Sequence, residues 1–357
     1  MQLSSGTVLV RLKDCLLIMA AGFVRIRLRG PIGSCIYSLF LLIKSAVTVA
    51  WQRMVRGPLR PSWGFEFEAA THFFQAQDAR VSRLALSGNA AQCRQVVDSL
   101  VFRLPALERV RIVSEPRFAG SWLNGDRPGP TILHFHGGGY AFYPAMTNNI
   151  IATIAAAVGG RIFVPHYPLA PEHPFPAQLD YAENAYRWLL ESGVAPSRIV
   201  MAGDSAGAHL MLSLLLRRHA TGLPKPSAAI AISPWTDPGN GGASMQANSR
   251  FDWMSSTMSR QLAQWAGPDL QKFNLALWPH DRDLDELPPL LVHSGEAEIC
   301  RDMIDEFCAQ ARRAGADVTY QCWPDMNHNF HGFGDRIPQS EMALKAIATF
   351  VAAHARA

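Results

Sequence analysis

The stretch Ile199-Val200-Met201-Ala202-Gly203-Asp204-Ser205-Ala206-Gly207 constrains this chain more than any other. An apolar run reads as a buried strand, a G-x-S-x-G turn follows it, and Ala208 to Leu216 reads as a helix. A turn that passes from strand into helix so abruptly leaves Ser205 strained at its tip, with the hydroxyl exposed. Only glycine fits at 203 and 207, where a side chain would meet the packed strand and helix. The pentapeptide alone is common; its position between a strand and a helix carries the information.

A second motif lies upstream. Thr131 to Phe135 reads as another interior strand and runs into His136-Gly137-Gly138-Gly139-Tyr140. Consecutive glycines after a strand present backbone N–H groups with no side chains in the way. Such donors are what a tetrahedral oxyanion requires in a dry site. The expected donors are Gly137, Gly138 and Ala206, the last being the residue after the serine.

A serine hydroxyl needs a base, and the base needs an orienting carboxylate. On an open α/β sheet these come from loops at the C-terminal ends of later strands. Pro289 to Gly295 reads as one such strand, followed by Glu296-Ala297-Glu298. Val318 to Trp323 reads as another, followed by the loop Pro324 to His331. His328 is the expected base and Glu298 the expected acid. Asp302 and Glu296 compete with Glu298; His331 and His293 compete with His328.

Together these segments resemble the hormone-sensitive-lipase family of α/β-hydrolases, which includes bacterial carboxylesterases and arylacetamide deacetylase-like enzymes. The resemblance is carried by His136 to Tyr140, Tyr167 to Ala177, Gly203 to Gly207, Ser233 to Asp237, Pro288 to Leu290 and Pro324 to His328, in the family's order. It implies an α/β-hydrolase fold, a mostly parallel doubly wound sheet with a helical cap. It also implies a catalytic set of Ser205, Glu298 and His328, with His136, Asp204 and Glu172 as supporting residues. Glu172 and His173 are expected to buttress the oxyanion loop through hydrogen bonds. The implied activity is hydrolysis of short to medium acyl or aryl esters, with no cofactor and no metal. An amide deacetylase and a non-catalytic ligand-binding receptor are the alternatives on the same fold. The chain departs from the family where Ile299-Cys300 follows Glu298, at Pro168, and at Asp325.

The other elements suit such a sheet. Helices are expected at 148–158, 178–191, 302–314 and 339–353, and strands at 161–165 and 228–233. Residues 58–104 read as two amphipathic helices. With 240–287, rich in Met and aromatic residues, the stretch 61–104 is the expected cap of a hydrolase domain covering 61–357. Of six cysteines, none has metal-ligand or disulfide-framework spacing, so they read as small buried hydrophobes.

Residues 1–60 differ from the rest. They hold nine Lys and Arg against Asp14 alone, while the whole chain is only +4. Two apolar runs lie among these charges, Cys15 to Val24 and Gly30 to Trp51, the second interrupted only by Lys44. The second just reaches the ~20 residues of a spanning helix. It equally suits a basic helix lying on an anionic membrane surface, a cleaved organelle presequence, which is also Arg-rich and acid-poor, or a cap helix folded over the enzyme's own entrance. The location is therefore open between cytoplasmic and membrane-associated. The expected partner is a small-molecule ester, and nucleic acid is not expected.

Overall fold

The computed structural model describes residues 25–143, 145–278 and 281–355. The expected run Cys15 to Val24 lies outside them. Ten strands are present among the described residues: β1 (Arg25–Leu28), β2 (Leu100–Arg103), β3 (Ile112–Glu115), β4 (Gly120–Leu123), β5 (Thr131–Phe135), β6 (Arg161–Pro165), β7 (Ile199–Asp204), β8 (Ala228–Ile232), β9 (Leu290–Gly295) and β10 (Val318–Trp323). Eight form one sheet in the order β10-β9-β8-β7-β5-β6-β4-β3. From β10 to β6 every pairing is parallel. The edge at β4 and β3 is antiparallel.

The longer helices are α1 (Ile32–Arg56), α2 (Phe65–Leu86), α3 (Ala90–Val97), α4 (Ala145–Val158), α5 (Ala177–Glu191), α6 (Ala206–Thr221), α7 (Ser256–Ala266), α8 (Arg301–Arg313) and α9 (Pro338–His354). Strands β5, β7, β8 and β9 are buried at every residue, which is why each reads as a continuous apolar run. Two hydrophobic clusters separate by strand alternation. Leu133, Met201, Ala229 and Val292 pack on one side with α5, α6 and α8; Ile132, Val200, Ile230 and Leu291 pack on the other with α4 and α9. This is the doubly wound, mostly parallel sheet that was expected.

Three features differ from the sequence reading. Residues 100–103 are a strand rather than the end of a helix, and they pair with Arg25–Leu28 in a separate two-stranded ribbon. The pairing joins segments far apart in the chain, so no local pattern announces it. Strands β3 and β4 were not expected either. They are short and half exposed at the sheet edge, and lack the apolar run of an interior strand. Cys35, Cys93, Cys300 and Cys308 are buried, but Cys322 is exposed, on the edge strand β10.

Helix α1 packs along α2. Ser38 shares a hydrogen bond of 2.7 Å with Ser99, Ser45 lies 3.0 Å from His72 Nδ1, and Arg53 bonds Glu68 and the Trp63 carbonyl. Helices α1, α2 and α7, with Trp253 and Met254, enclose a cavity of about 500 Å³ whose lining includes Ser205.

Candidate active site

Ser205 sits between β7 and α6 with φ of 55°, in the left-handed region that non-glycine residues seldom adopt. The glycines beside it are dictated by space. A Cβ at Gly203 would lie 2.5 Å from the Gly207 carbonyl carbon; one at Gly207 would lie 2.0 Å from the Phe135 oxygen. The turn is thus wedged against the end of β5, where the glycine loop begins.

That loop is held from several sides. A Cβ on Gly137 would meet Asp204 Oδ2 at 2.3 Å, and Gly138 and Gly139 have φ of 114° and 59°. The His136 ring lies between Tyr143 and Tyr167, with centroids at 4.2 and 4.1 Å. Its Nδ1 donates to the Gly137 carbonyl at 2.8 Å, and the Tyr167 hydroxyl donates to the His136 carbonyl at 2.6 Å. Burial drives the His136 pKa down to about 4, so the ring is neutral at physiological pH. Asp204 lies 3.0 Å from His134 Nε2 through one oxygen and accepts from Asn329 Nδ2 at 3.2 Å through the other. It therefore ties the glycine loop's strand to the loop after β10. Gly138, Gly139 and Ser205 share the cavity wall.

Glu172 reaches this region only indirectly. Its carboxylate is half exposed and takes both terminal nitrogens of Arg94, at 2.8 and 2.7 Å. Arg94 in turn donates to the Ala141 and Ala170 carbonyls at 2.8 Å each. His173 is exposed.

His328 Nε2 lies 2.9 Å from Ser205 Oγ. His328 Nδ1 lies 3.4 Å from Glu298 Oε2, and both residues are buried. Neither Glu298 oxygen has a hydrogen-bond partner among the described residues. A buried carboxylate left so bare is costly unless a polar hydrogen faces it, and the His328 Nδ1 position is the group at hand. The strand-end glycine makes the approach feasible: a Cβ on Gly295 would strike the Met326 carbonyl oxygen at 2.1 Å. Burial pulls the His328 pKa down. The Glu298 carboxylate, with Asp252 and Asp204 behind it, outweighs that, and the net shift is upward.

The competing residues lie elsewhere. Asp302 accepts from Ser244 N at 2.8 Å and pairs with Arg301 at 2.9 Å, partly exposed at the start of α8. Glu296 accepts from Asp325 N. His331 and His293 face each other at 3.0 Å, and burial lowers both pKa values, that of His293 to about 3.

Asp252 is the residue the sequence reading missed. One oxygen accepts from Ile299 N at 2.7 Å; the other accepts from Trp253 N at 2.7 Å and His328 N at 3.3 Å. It ties the loop after β9 to the loop after β10. Burial, with some repulsion from Glu298, raises its pKa to about 6. The available signal was that Asp252 is the only carboxylate between Asp237 and Asp269.

A mostly parallel sheet with a strand–turn–helix serine, and with loops converging on it from the C-terminal ends of β5, β9 and β10, defines the class of the α/β hydrolases. A family model described as alpha/beta hydrolase fold matches residues 132–332. An acetyl-hydrolase of Streptomyces hygroscopicus is 35% identical over 67% of this chain and 81% of its own length. An esterase of Acinetobacter venetianus is 32% identical over 75% of this chain and 90% of its own. Among solved structures, an esterase from the bacterial hormone-sensitive lipase family superposes with a TM-score of 0.65 at 24% identity, over 92% of this chain and 100% of that one. The chain belongs to the alpha/beta-hydrolase fold family, and it is an enzyme, a hydrolase.

Proposed function

We propose that this protein hydrolyses carboxylic esters through Ser205, His328 and Glu298, with the N–H groups of Gly137, Gly138 and Ala206 receiving the oxyanion. The observation that carries the reading is the 2.9 Å approach of His328 Nε2 to Ser205 Oγ, with Nδ1 of the same ring turned to a buried, otherwise bare carboxylate. His328 Nε2 takes the hydroxyl proton as Oγ attacks the carbonyl carbon, and the carbonyl π pair moves onto oxygen. Collapse expels the alcohol, which takes the proton back from Nε2. Water then attacks the acyl-enzyme through the same base, releasing the acid and free Ser205. Glu298 keeps the proton of the neutral ring on Nδ1 and stabilises the imidazolium. Losing one oxyanion donor from such a site costs on the order of 3 kcal/mol of barrier.

The relatives' names and the cavity support this substrate class. Met254, Met258, Leu262 and Phe142 give it an apolar wall beside Ser205, which suits short to medium acyl or aryl groups. Residues 61–104 and 240–287 then act as a cap over the hydrolase domain. Helix α1 joins them, because Leu42 and Ala46 also reach the cavity wall. The test is hydrolysis of p-nitrophenyl acetate and butyrate by the wild type and by Ser205→Ala. Loss of turnover in the variant is expected; turnover near wild type would remove the mechanism.

A further inference from the structure

Helix α1 buries one face and leaves an apolar stripe on the other. Inward lie Cys35, Leu41, Leu42 and Val49, together with Ser38, Ser45 and Arg53, which are bonded to Ser99, His72 and Glu68. Its outward face is apolar. Ile36, Phe40, Val47 and Trp51 are 63%, 57%, 65% and 64% exposed, and Ile32, Ile43 and Met54 extend the same stripe. The spacing places all seven on one side of the helix. At 25 residues the helix is about 37 Å long, and the stripe runs along nearly all of it. A contiguous patch of this kind marks an interaction site.

Charge says what covers it. Between Asp14 and Glu66 the sequence holds no acidic residue. Arg27, Arg29, Lys44 and Arg56 are exposed along or at the ends of the helix, and among the described residues none has a carboxylate at ion-pair distance; Arg25 pairs with Glu108. A helix that carries an apolar stripe flanked by cations and has no acidic residue of its own matches the interface of an anionic bilayer, where the stripe enters the acyl boundary and the cations meet headgroup phosphates.

We propose that the outer face of α1 docks this enzyme on an anionic lipid surface, with the helix lying in the interface. By length and composition α1 could cross a membrane. Crossing would strip Ser38, Ser45 and Arg53 of their partners on α2 and the neighbouring segments and place them in hydrocarbon. The same helix lends Leu42 and Ala46 to the cavity wall. Docking therefore sets the cavity beside lipid, and esters dissolved in the bilayer become its natural substrates. That last consequence rests on the ester-hydrolase reading; the docking does not.

The test is flotation of the full chain with vesicles of phosphatidylcholine, with and without phosphatidylglycerol, alongside the variant Ile36→Glu/Phe40→Glu/Val47→Glu. Wild type should float with the anionic vesicles and be released by alkaline carbonate. The variant should float less by roughly tenfold or more. Both should hydrolyse soluble p-nitrophenyl acetate equally, which shows that the variant is folded. If neither turns the ester over while flotation behaves as stated, the esterase reading fails and the docking stands. Wild type that stays at the bottom of the gradient overturns the docking, as does a variant that floats equally well. Sedimentation velocity covers the other occupant: a wild-type dimer dissolved by the three substitutions, without flotation, assigns the face to a second copy. Resistance to carbonate would overturn the lying geometry.

Discussion

Helices α1 and α6 are both long and apolar, and the fold treats them in opposite ways. Helix α6 begins at the residue after Ser205, is buried from Ala206 to Leu216, and satisfies His209 through Tyr140 and the Phe273 carbonyl. Helix α1 buries Leu41, Leu42 and Val49 with Ser38 and Ser45, and turns Ile36, Phe40, Val47 and Trp51 outward. Apolar content is therefore no guide to what a helix meets. The packing partners decide, and in one case they fix the turn that carries Ser205 while in the other they leave an apolar face exposed.

The difference should appear as a gradient of effects on soluble-ester hydrolysis, steepest at the α6 end. Ser205→Ala should lower kcat by about 10⁴- to 10⁶-fold, as loss of a nucleophile does in unrelated serine hydrolases. Glu298→Gln should cost roughly 10³- to 10⁴-fold, because the imidazolium loses its counter-charge and the tautomer its anchor. Asp302→Asn, partly exposed and paired with Arg301, should stay within about twofold; a larger loss there than at Glu298 would move the acid to 302.

Asp252→Asn should fall between these, on the order of 10- to 100-fold in kcat, since it loosens two loops without touching substrate. A pH profile separates this positioning role from simple damage to the fold. The acid limb of kcat/KM should lie above the ordinary imidazole value of 6.5, because the base works only when neutral and its carboxylate neighbours favour the imidazolium. Removing the Asp252 charge should shift that limb to lower pH. A limb that stays in place would assign Asp252 to structure alone. At the shallow end, the three glutamates on the outer face of α1 should leave soluble-ester kinetics unchanged; a clear loss would mean that this face shapes the cavity instead.

How legible each part was follows from the range of the interaction behind it. Strands β5, β7 and β9 are wrapped on both faces, so their burial is written as unbroken apolar runs. The turn at Ser205 is local, and two glycines within five residues record its crowding. The ribbon of Arg25–Leu28 with Leu100–Arg103 depends on a partner more than seventy residues away and leaves no local trace. The role of Asp252 was hidden for a similar reason, because it exists only once the loops after β9 and β10 meet. Glu298 could be placed at a strand end but not separated by pattern alone from Asp302, four residues along the same turn and helix. The separation comes from packing, in which Glu298 faces inward to His328 and Asp302 outward to Arg301.

We propose above all that Ser205 is the acylated nucleophile and His328 its base. Reaction with a fluorophosphonate, followed by peptide mass spectrometry of wild type and His328→Ala, tests it most directly. One adduct is expected, on the peptide carrying Ser205, formed in the wild type and strongly slowed in the variant. An adduct on a different residue, or an unmodified protein that still hydrolyses esters, would contradict it.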